Sequence, residues 1–364
     1  MSGAIDSNRT ATPAIVIMAG GTGGHVFPAL AVAEEMRARG WQVSWLGTRK
    51  GLEGRVVPAH KIDIDWLSVE GMRGKGLLSK FTAVWRLAQA CLQARRILRQ
   101  RKPDVVLGMG GFVAGPGGLM AKVLGIPLVI HEQNRIPGTT NRWLVKLAAS
   151  KVLEAFPGSF SASINAICTG NPLRKAFNGL SEKAEWTPAS QRALRVLVLG
   201  GSQGAKVLND NVPDALAGLS NLDIKHQTGN AMQAEVVDRY QRLGVNAEIL
   251  AFIEDMAAAY QWADLIICRA GAMTVSEVAA CGLPAIFVPL LNAIDDHQTA
   301  NAHYLCESGA ALLLAQPELN ASNLRKLIEQ TMTSLPMMSR TAKSLAKLNA
   351  TQAVADICAA EARL

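Results

Sequence analysis

The sequence predicts an α/β protein built from two doubly wound parallel-sheet domains. Three observations carry that prediction. Short runs rich in Val, Ile and Leu lack the strict alternation of half-exposed strands, the pattern of parallel strands buried on both faces. Helical patterns separate these runs, as in successive βαβ units. A strand, a glycine-rich turn and a helix follow one another twice, as "IMAGGTGGHVFPALAVAEEM" (17–36) and "RVLVLGGSQGAKVLND" (195–210). The 364 residues are long for one hydrophobic core and comfortable for two.

In order, the strand candidates of the first half are "AIVIMAG", "VSWLG", "VVLGMG", "LVIHE" and "KVLEAF". Those of the second half are "RVLVLGG", "DIKHQTG", "AEILAFI", "ADLIICRA" and "AIFVPL". A polar stretch around 171–194, with Pro172 and Pro188, reads as the connector. Ligands of such sheets bind beyond the carboxyl ends of the strands, so a site is expected in a cleft between the domains. The uncharged run "VVLGMGGFVAGPGGLMA" (105–121) holds six glycines and a proline and reads as strand and loop. A membrane-spanning helix needs about 20 mostly apolar residues, so none is expected here.

Apolar residues form 49% of the chain, which places it among folded proteins, and aromatics at 5% argue against a base-stacking platform. No nucleic-acid partner is expected. The six cysteines show no C-x-x-C spacing, so reduced thiols are expected rather than a disulfide framework or a zinc site. The start "MSGAIDSNRTATP" lacks a signal-peptide apolar core, and a cytoplasmic protein is expected. Charge is divided unevenly. Residues 1–178 carry 23 Lys/Arg against 10 Asp/Glu, and residues 179–364 carry 14 against 19. Each half is therefore expected to meet a different partner.

A glycine-rich turn entering a helix lets backbone N–H groups approach an anion at the positive helix end. The same turn also serves close helix–strand packing, and one loop alone does not decide between them. The dinucleotide fingerprint fails, because Val26 stands at its last glycine position and no acid closes the second strand at Gly47-Thr48. No G-K-[ST] follows the second loop, so it is not a P-loop either. A third loop, "GMGGFVAGPGG" (108–118), again follows a strand, and three such loops favour phosphate or sugar approach.

In "RAGAMTVSEVAACGLP" (269–284), Thr274 and Glu277 have the spacing of a capping box. The same stretch offers a helix N-terminus for a diphosphate and a carboxylate for a ribose diol. "IDDHQTANA" (294–302) sets Asp, His and Gln at loop-like spacing without a second cluster, so no metal site is expected. "VIHEQNRIPGTTN" (129–141) ends a strand on His131, Glu132, Gln133 and Asn134, where either a ligand contact or a hydrogen-bonded loop anchor fits.

With "GGTGGHVFPALAVAEE", "GMRGKG", "KPDVVLGMGGFVAGPGG", "HEQN", "GNPLR", "GGSQGA", "RAGAMTVSE" and "HQTANA" in this order from residue 20 to about 302, the chain resembles the MurG family of cytoplasmic peptidoglycan glycosyltransferases. The resemblance implies a GT-B fold with a C-terminal nucleotide-sugar domain over 175–344 and an N-terminal acceptor domain over 1–174, joined by a last helix near 345–364. It implies inverting transfer of N-acetylglucosamine from UDP-GlcNAc to the MurNAc 4-hydroxyl of undecaprenyl-pyrophosphoryl-MurNAc-pentapeptide (lipid I), giving lipid II without a metal or other cofactor. By motif, the donor site would comprise Thr22, Gly23, Gly24, Asn134, Arg174, Ser202, Ile253, Ala272, Met273, Thr274, Val275, Ser276, Glu277 and Gln298. Some members carry a Gln pair at the last site, where this chain has His297 before Gln298. The family also implies peripheral residence on the cytoplasmic face of the inner membrane and contact with other cell-wall synthesis proteins.

Such chemistry needs a base for the acceptor hydroxyl and charge stabilisation on departing UDP. His25 sits in a glycine loop and is the candidate base or acceptor-orienting group, with Glu132 as its rival. A lone histidine could equally cap the helix or anchor the loop. Residues 71–103 hold nine Lys/Arg and no acid. Leu77, Phe81, Val84, Ala88 and Cys91 follow helical spacing and fit a helix packed on its own sheet. Lys75, Leu77, Leu78, Lys80, Phe81, Trp85 and Arg86 also fit an interfacial patch on anionic lipid. Three rivals remain: a nicotinamide dehydrogenase, opposed by the failed fingerprint; a GT-B transferase with another lipid acceptor; and a UDP-GlcNAc epimerase.

Overall fold

The computed structural model describes residues 12–68, 77–177, 179–180, 185–201, 203–291 and 296–362, with the backbone alone for 77–83. The chain forms two compact units, Met1–Arg174 with Asn349–Leu364, and Lys175–Leu348.

The N-terminal unit runs β1 (Ala14–Met18), α1 (Gly23–Ala38), β2 (Gln42–Gly47), α2 (Glu53–Ala59), β3 (Asp63–Trp66), α3 (Leu77–Arg101), β4 (Val105–Gly108), α4 (Ala114–Val123), β5 (Leu128–Glu132), α5 (Thr139–Leu147), β6 (Lys151–Glu154) and β7 (Ile167–Cys168). Its sheet has the order β3-β2-β1-β4-β5-β6-β7, all parallel. Strand order reverses between β1 and β4, so the crevice beyond Met18 and Gly108 is the switch point where ligands of open α/β sheets bind. On one face, Val26, Ala29, Ala33 and Met36 of α1 bury Ile15, Ile17 and Trp45. On the other, Ala94 and Leu98 of α3 and Ala114 and Ala121 of α4 cover Val16, Met18 and Val106.

Two expectations are corrected here. Residues 114–123 are helical, not loop, despite three glycines and Pro116. Pro116 lies in the first turn, where a backbone N–H has no intrahelical partner to lose. The glycines let α4 press inward: a Cβ on Gly117 would lie 2.2 Å from Met18 Sδ, and one on Gly118 would lie 2.8 Å from Leu144. In α3 the packed stripe is Ala90, Ala94 and Leu98, whereas Val84 and Ala88 are exposed and Cys91 is half-buried. Ala90, Ala94 and Leu98 face the sheet at four-residue spacing, while Val84, Trp85, Leu87 and Leu92 turn outward.

The C-terminal unit repeats the plan with β8 (Leu194–Leu199), α6 (Lys206–Leu216), β9 (Leu222–Gln227), α7 (Gln233–Arg242), β10 (Glu248–Leu250), α8 (Met256–Trp262), β11 (Leu265–Cys268), α9 (Ala272–Cys281), β12 (Ala285–Phe287), α10 (His297–Cys306), β13 (Ala311–Leu313), α11 (Ala321–Met332) and α12 (Leu335–Ser344). Its parallel order β10-β9-β8-β11-β12-β13 reverses between β8 and β11. Trp186, in the expected connector, is buried in this core. The final helix, α13 (Ala350–Glu361), belongs to the first unit, where Val354, Ala355 and Cys358 join the α1 face of the core. Arg39 and Asp356, 2.6 Å apart, bridge α1 and α13. All six cysteines are free thiols.

Candidate active site

In the N-terminal unit the first glycine loop, Gly20 to Thr22, leaves β1 at the switch point and enters α1. Thr22 stands at the N-cap in an extended conformation, and its side chain does not cap the helix. The leading N–H groups of α1, those of Gly23 and Gly24 first, thus meet the helix's positive end, where an anion is favoured. Glu53 fixes this loop. Fully buried, it accepts from Gly21 N–H at 2.9 Å, Thr48 N–H at 2.9 Å and Thr48 Oγ1 at 2.7 Å. Trp45 Nε1 donates to Ala19 O at 2.9 Å on the other side. The third glycine loop, after β4, lies directly against the first: a Cβ on Gly111 would come 2.4 Å from Gly20 O, and one on Gly110 would come 3.0 Å from the His25 ring.

His25 is half-buried in the first turn of α1, and its Nδ1 lies 2.8 Å from Gln133 Oε1. Gln133, fully buried just after β5, also contacts His131. Burial lowers the His131 pKa to about 4, against the raising effects of its hydrogen bond to Gly170 and the Glu132 charge. Glu132 is 1% exposed and accepts from Asn134 N–H and Nδ2, Gly138 N–H and Asn141 Nδ2 at 2.8–3.2 Å. Four donors committed to one buried carboxylate make Glu132 an anchor of the 133–138 loop, the hydrogen-bonded alternative that its stretch of sequence offered. Asn134 is half-buried at the loop's start, and the Arg174 guanidinium stands 5.7 Å over the Phe27 ring.

In the C-terminal unit the second glycine loop leaves β8 and the 269–271 turn leaves β11, again flanking the switch point. Gly204 sits at φ +76°, where a Cβ would meet Thr228 O at 1.8 Å, so only glycine fits. Gln227, at the end of β9, donates from Nε2 to Gly201 O and accepts the Ile253 N–H on Oε1, both at 2.9 Å. One buried side chain thereby ties the glycine loop to the turn bearing Ile253, itself 8% exposed. Beneath it, buried His226 bonds Tyr240 and Asn209 at 3.1 Å, and burial lowers its pKa to about 3.

Helix α9 starts at Ala272 behind Gly271, with no side-chain cap. Thr274 lies inside the helix, so the capping-box reading is corrected. Glu277 is buried and accepts from Tyr260 OH at 3.2 Å, and Ser276 Oγ donates to Ala272 O at 3.0 Å. Val275 is fully buried, while Met273 and Thr274 are half-exposed in the first turn. His297 opens helix α10 instead of standing in a loop, and Gln298 Oε1 accepts the Leu290 N–H at 2.9 Å.

Ser202 and Lys75 lie outside the described residues, as do the side chains of Leu77, Leu78, Lys80 and Phe81. Trp85 is 63% exposed. Arg86 lines an open hollow of about 720 Å³ together with Gly20, Gly21, Arg49, Lys50 and Phe112. Helix α4 packs beside both α3 and α5. These helices expose Val84, Trp85 and Leu87, then Val123, then Trp143 and Leu147. Basic Lys122, Arg142 and Lys146 share the α4 and α5 segments. Sequence reading missed α4 and α5 here, because their apolar exposure emerges only from the packing. It also missed Glu53 and Gln227, each an isolated polar residue beside a strand end. Among the described residues no group of three or more His, Cys, Asp or Glu could hold a metal ion. No described helix is long and apolar enough to cross a membrane.

The glycosyltransferase family 28 N-terminal domain matches residues 15–152, and the family's C-terminal domain matches residues 195–358. A relative from Methylococcus capsulatus is 61% identical over 354 residues, covering 96% of this chain and 98% of its own length. One from Shewanella frigidimarina is 50% identical over 368 residues, covering 99% of this chain and 100% of its own. Both bear the name UDP-N-acetylglucosamine–N-acetylmuramyl-(pentapeptide) pyrophosphoryl-undecaprenol N-acetylglucosamine transferase. The crystal structure of Acinetobacter baumannii MurG superposes with a TM-score of 0.83 at 42% identity, covering 96% of this chain and 99% of that one. A kitacinnamycin glycosyltransferase at 16% identity and TM-score 0.73 shares the fold.

Proposed function

Because the chain belongs to glycosyltransferase family 28, we propose a division of labour between its two GT-B domains in one transfer reaction. The enzyme moves N-acetylglucosamine from UDP-GlcNAc to undecaprenyl-pyrophosphoryl-MurNAc-pentapeptide, forming lipid II and UDP in peptidoglycan synthesis. The observation that carries this is the 61% identity to a transferase of that name along nearly the whole of both chains. The decisive experiment incubates labelled UDP-GlcNAc with and without lipid I. Label in lipid II only when lipid I is present is expected. UDP-GlcNAc converted without lipid would make the chain an epimerase, and label in a different lipid would redefine the acceptor.

The C-terminal domain grips the donor. The α9 N-terminus with Ala272 to Glu277 and the Ser202 loop take the diphosphate and ribose, Ile253 lies on the uracil, and Gln298 takes sugar hydroxyls. Charge on departing UDP is then met by helix N-termini, backbone amides and Arg174. The N-terminal domain presents the MurNAc 4-hydroxyl, with Thr22, Gly23, Gly24 and Asn134 beside the reacting groups and His25 as base. Transfer inverts the sugar carbon. His25→Ala tests the base: a large fall in kcat with UDP-GlcNAc binding intact is expected, and a near-normal kcat removes His25 from the role.

The acceptor is membrane-borne, and the α3–α4–α5 face with Trp85, Arg86 and Trp143 is the membrane contact, holding the enzyme peripherally at the cytoplasmic face. Each basic residue near an anionic surface contributes about 1 kcal/mol, so binding to vesicles containing anionic lipid falls with salt. Other cell-wall synthesis proteins are the expected neighbours there.

A further inference from the structure

A buried run of hydrogen bonds reaches His25 from the far side of the sheet's end. His131 Nε2 lies 2.9 Å from Gly170 O, and Gln133 Nε2 lies 3.1 Å from His131 Nδ1 and 3.0 Å from His131 O. Gln133 Oε1 then lies 2.8 Å from His25 Nδ1. Both linking side chains are completely buried, so no solvent competes for these bonds.

Carbonyl oxygens can only accept, and two of them fix every proton in the run. Gly170 O requires hydrogen on His131 Nε2. Burial keeps that ring neutral at pH 7, so His131 Nδ1 is a lone pair. His131 O requires the NH2 end of Gln133 to face it, which also supplies the donor for His131 Nδ1. The Gln133 amide therefore turns its oxygen to His25, and His25 Nδ1 must carry the hydrogen. In neutral His25 the lone pair then lies on Nε2 alone. Among the described residues Nε2 makes no hydrogen bond.

We infer that Gln133, itself held by His131, is a positioning residue that sets the tautomer and ring orientation of His25, leaving Nε2 as the proton acceptor for the attacking hydroxyl. This inference rests on His25 serving as base. In the step it serves, the hydroxyl proton passes to Nε2 as the oxygen bonds the sugar's anomeric carbon. The bond from that carbon to the diphosphate oxygen breaks, its electron pair leaving with UDP, and the imidazolium later returns its proton to water. An amide in this place holds the ring without adding a charge beside it.

The test is ¹⁵N NMR of histidine-labelled, full-length protein above neutral pH. The expected spectrum shows His25 protonated at Nδ1 and His131 at Nε2. In Gln133→Met, which keeps the volume and removes the acceptor, the His25 signals should shift to a tautomer mixture or to the Nε2-protonated form. Its kcat should fall about 10- to 100-fold with the KM for UDP-GlcNAc unchanged, the usual reach of a misplaced general base. Wild-type His25 protonated at Nε2, or a Gln133→Met enzyme with wild-type tautomer and kcat, overturns the inference. Should His25→Ala keep its kcat while the wild-type tautomers are as expected, the base reading fails and the hydrogen-bond run stands only as architecture.

Discussion

Gly111→Ala separates the cost of an unusual backbone conformation from the cost of a collision. Gly111 sits at φ +82° and Gly158 at φ +78°. A Cβ at Gly158 meets nothing within 4 Å, whereas one at Gly111 reaches 2.4 Å from Gly20 O and 3.0 Å from Gly20 N. Gly158→Ala should therefore cost only the left-handed penalty, about 1 kcal/mol. Gly111→Ala adds a clash with backbone that cannot retreat, because Glu53 holds Gly21 N–H and Trp45 holds Ala19 O on either side. A total of about 3 kcal/mol or more is expected, the range of overpacked, strained sites. Urea unfolding followed by tryptophan fluorescence reads it, since Trp45 bonds the loop itself. Turnover should drop at least tenfold because Gly20 to His25 move together, while UDP binding by calorimetry stays intact. A Gly111→Ala protein as stable as Gly158→Ala, with wild-type turnover, refutes the idea that the third glycine loop braces the first.

Four further outcomes are expected. Glu53→Ala strands three donors in a buried site and should destabilise the protein by about 2–4 kcal/mol, read in the same urea assay; a loss under 1 kcal/mol would mean water replaces the carboxylate. Gln227→Leu should weaken UDP-GlcNAc binding several-fold in calorimetry, since Gly201 and the Ile253 N–H lose their common partner; unchanged affinity would detach those loops from the donor. His131 and His226 have folded pKa values of about 4 and about 3, below the usual 6.5. The unfolded chain therefore binds more protons between those values, and stability, complete above about pH 6.5, falls as acid is added, on the order of 3 kcal/mol for His131 alone. A urea midpoint flat from pH 7 to 5 would contradict that burial. Charge reversal at Lys75, Lys80 and Arg86 should abolish salt-sensitive vesicle binding, whereas reversal at Arg142 and Lys146 leaving it unchanged would confine the contact to α3.

The central strands were legible because burial on both faces makes them apolar throughout: "AIVIM", "VVLG", "LRVLVL" and "LIIC" can hardly be anything else. Of the four edge strands only β10, within "AEILAFI", was legible. β3, "DIDW", is half-exposed and charged; β7 has two residues and β13 three, too short for any periodicity to register. Helix α4 was misread because glycine spacing there answers to what lies underneath, Met18 and Leu144, and no local pattern encodes a neighbour. The glycine loops were visible as motifs, since close backbone approach demands glycine itself. Of their fastenings, Gln133 stood out as a polar residue after a strand but its partner 108 residues away did not, and Glu53 and Gln227, acting over separations of 32 and 26 residues, were not visible at all.

Both domains use a buried glutamine at a strand's carboxyl end to fasten the segment that follows the sheet's first strand, Gln133 across the switch point between β1 and β4 and Gln227 beside the one between β8 and β11. What the glutamine grips differs. Gln227 grips backbone on both sides, Gly201 O and Ile253 N–H, and so holds the outlines of a binding surface without placing a reactive group in it. Gln133 grips an imidazole on one side and an imidazole-and-carbonyl pair on the other, and so holds a group that can exchange a proton. A transfer reaction needs a surface that binds a charged leaving group tightly and a single base aimed at the acceptor. A second histidine beside the donor diphosphate would bond the leaving group before reaction as well as after, strengthening ground-state binding without speeding the step. On the proposed role of His25 as base, a duplicated junction with an unduplicated histidine is what such a reaction requires of one fold used twice.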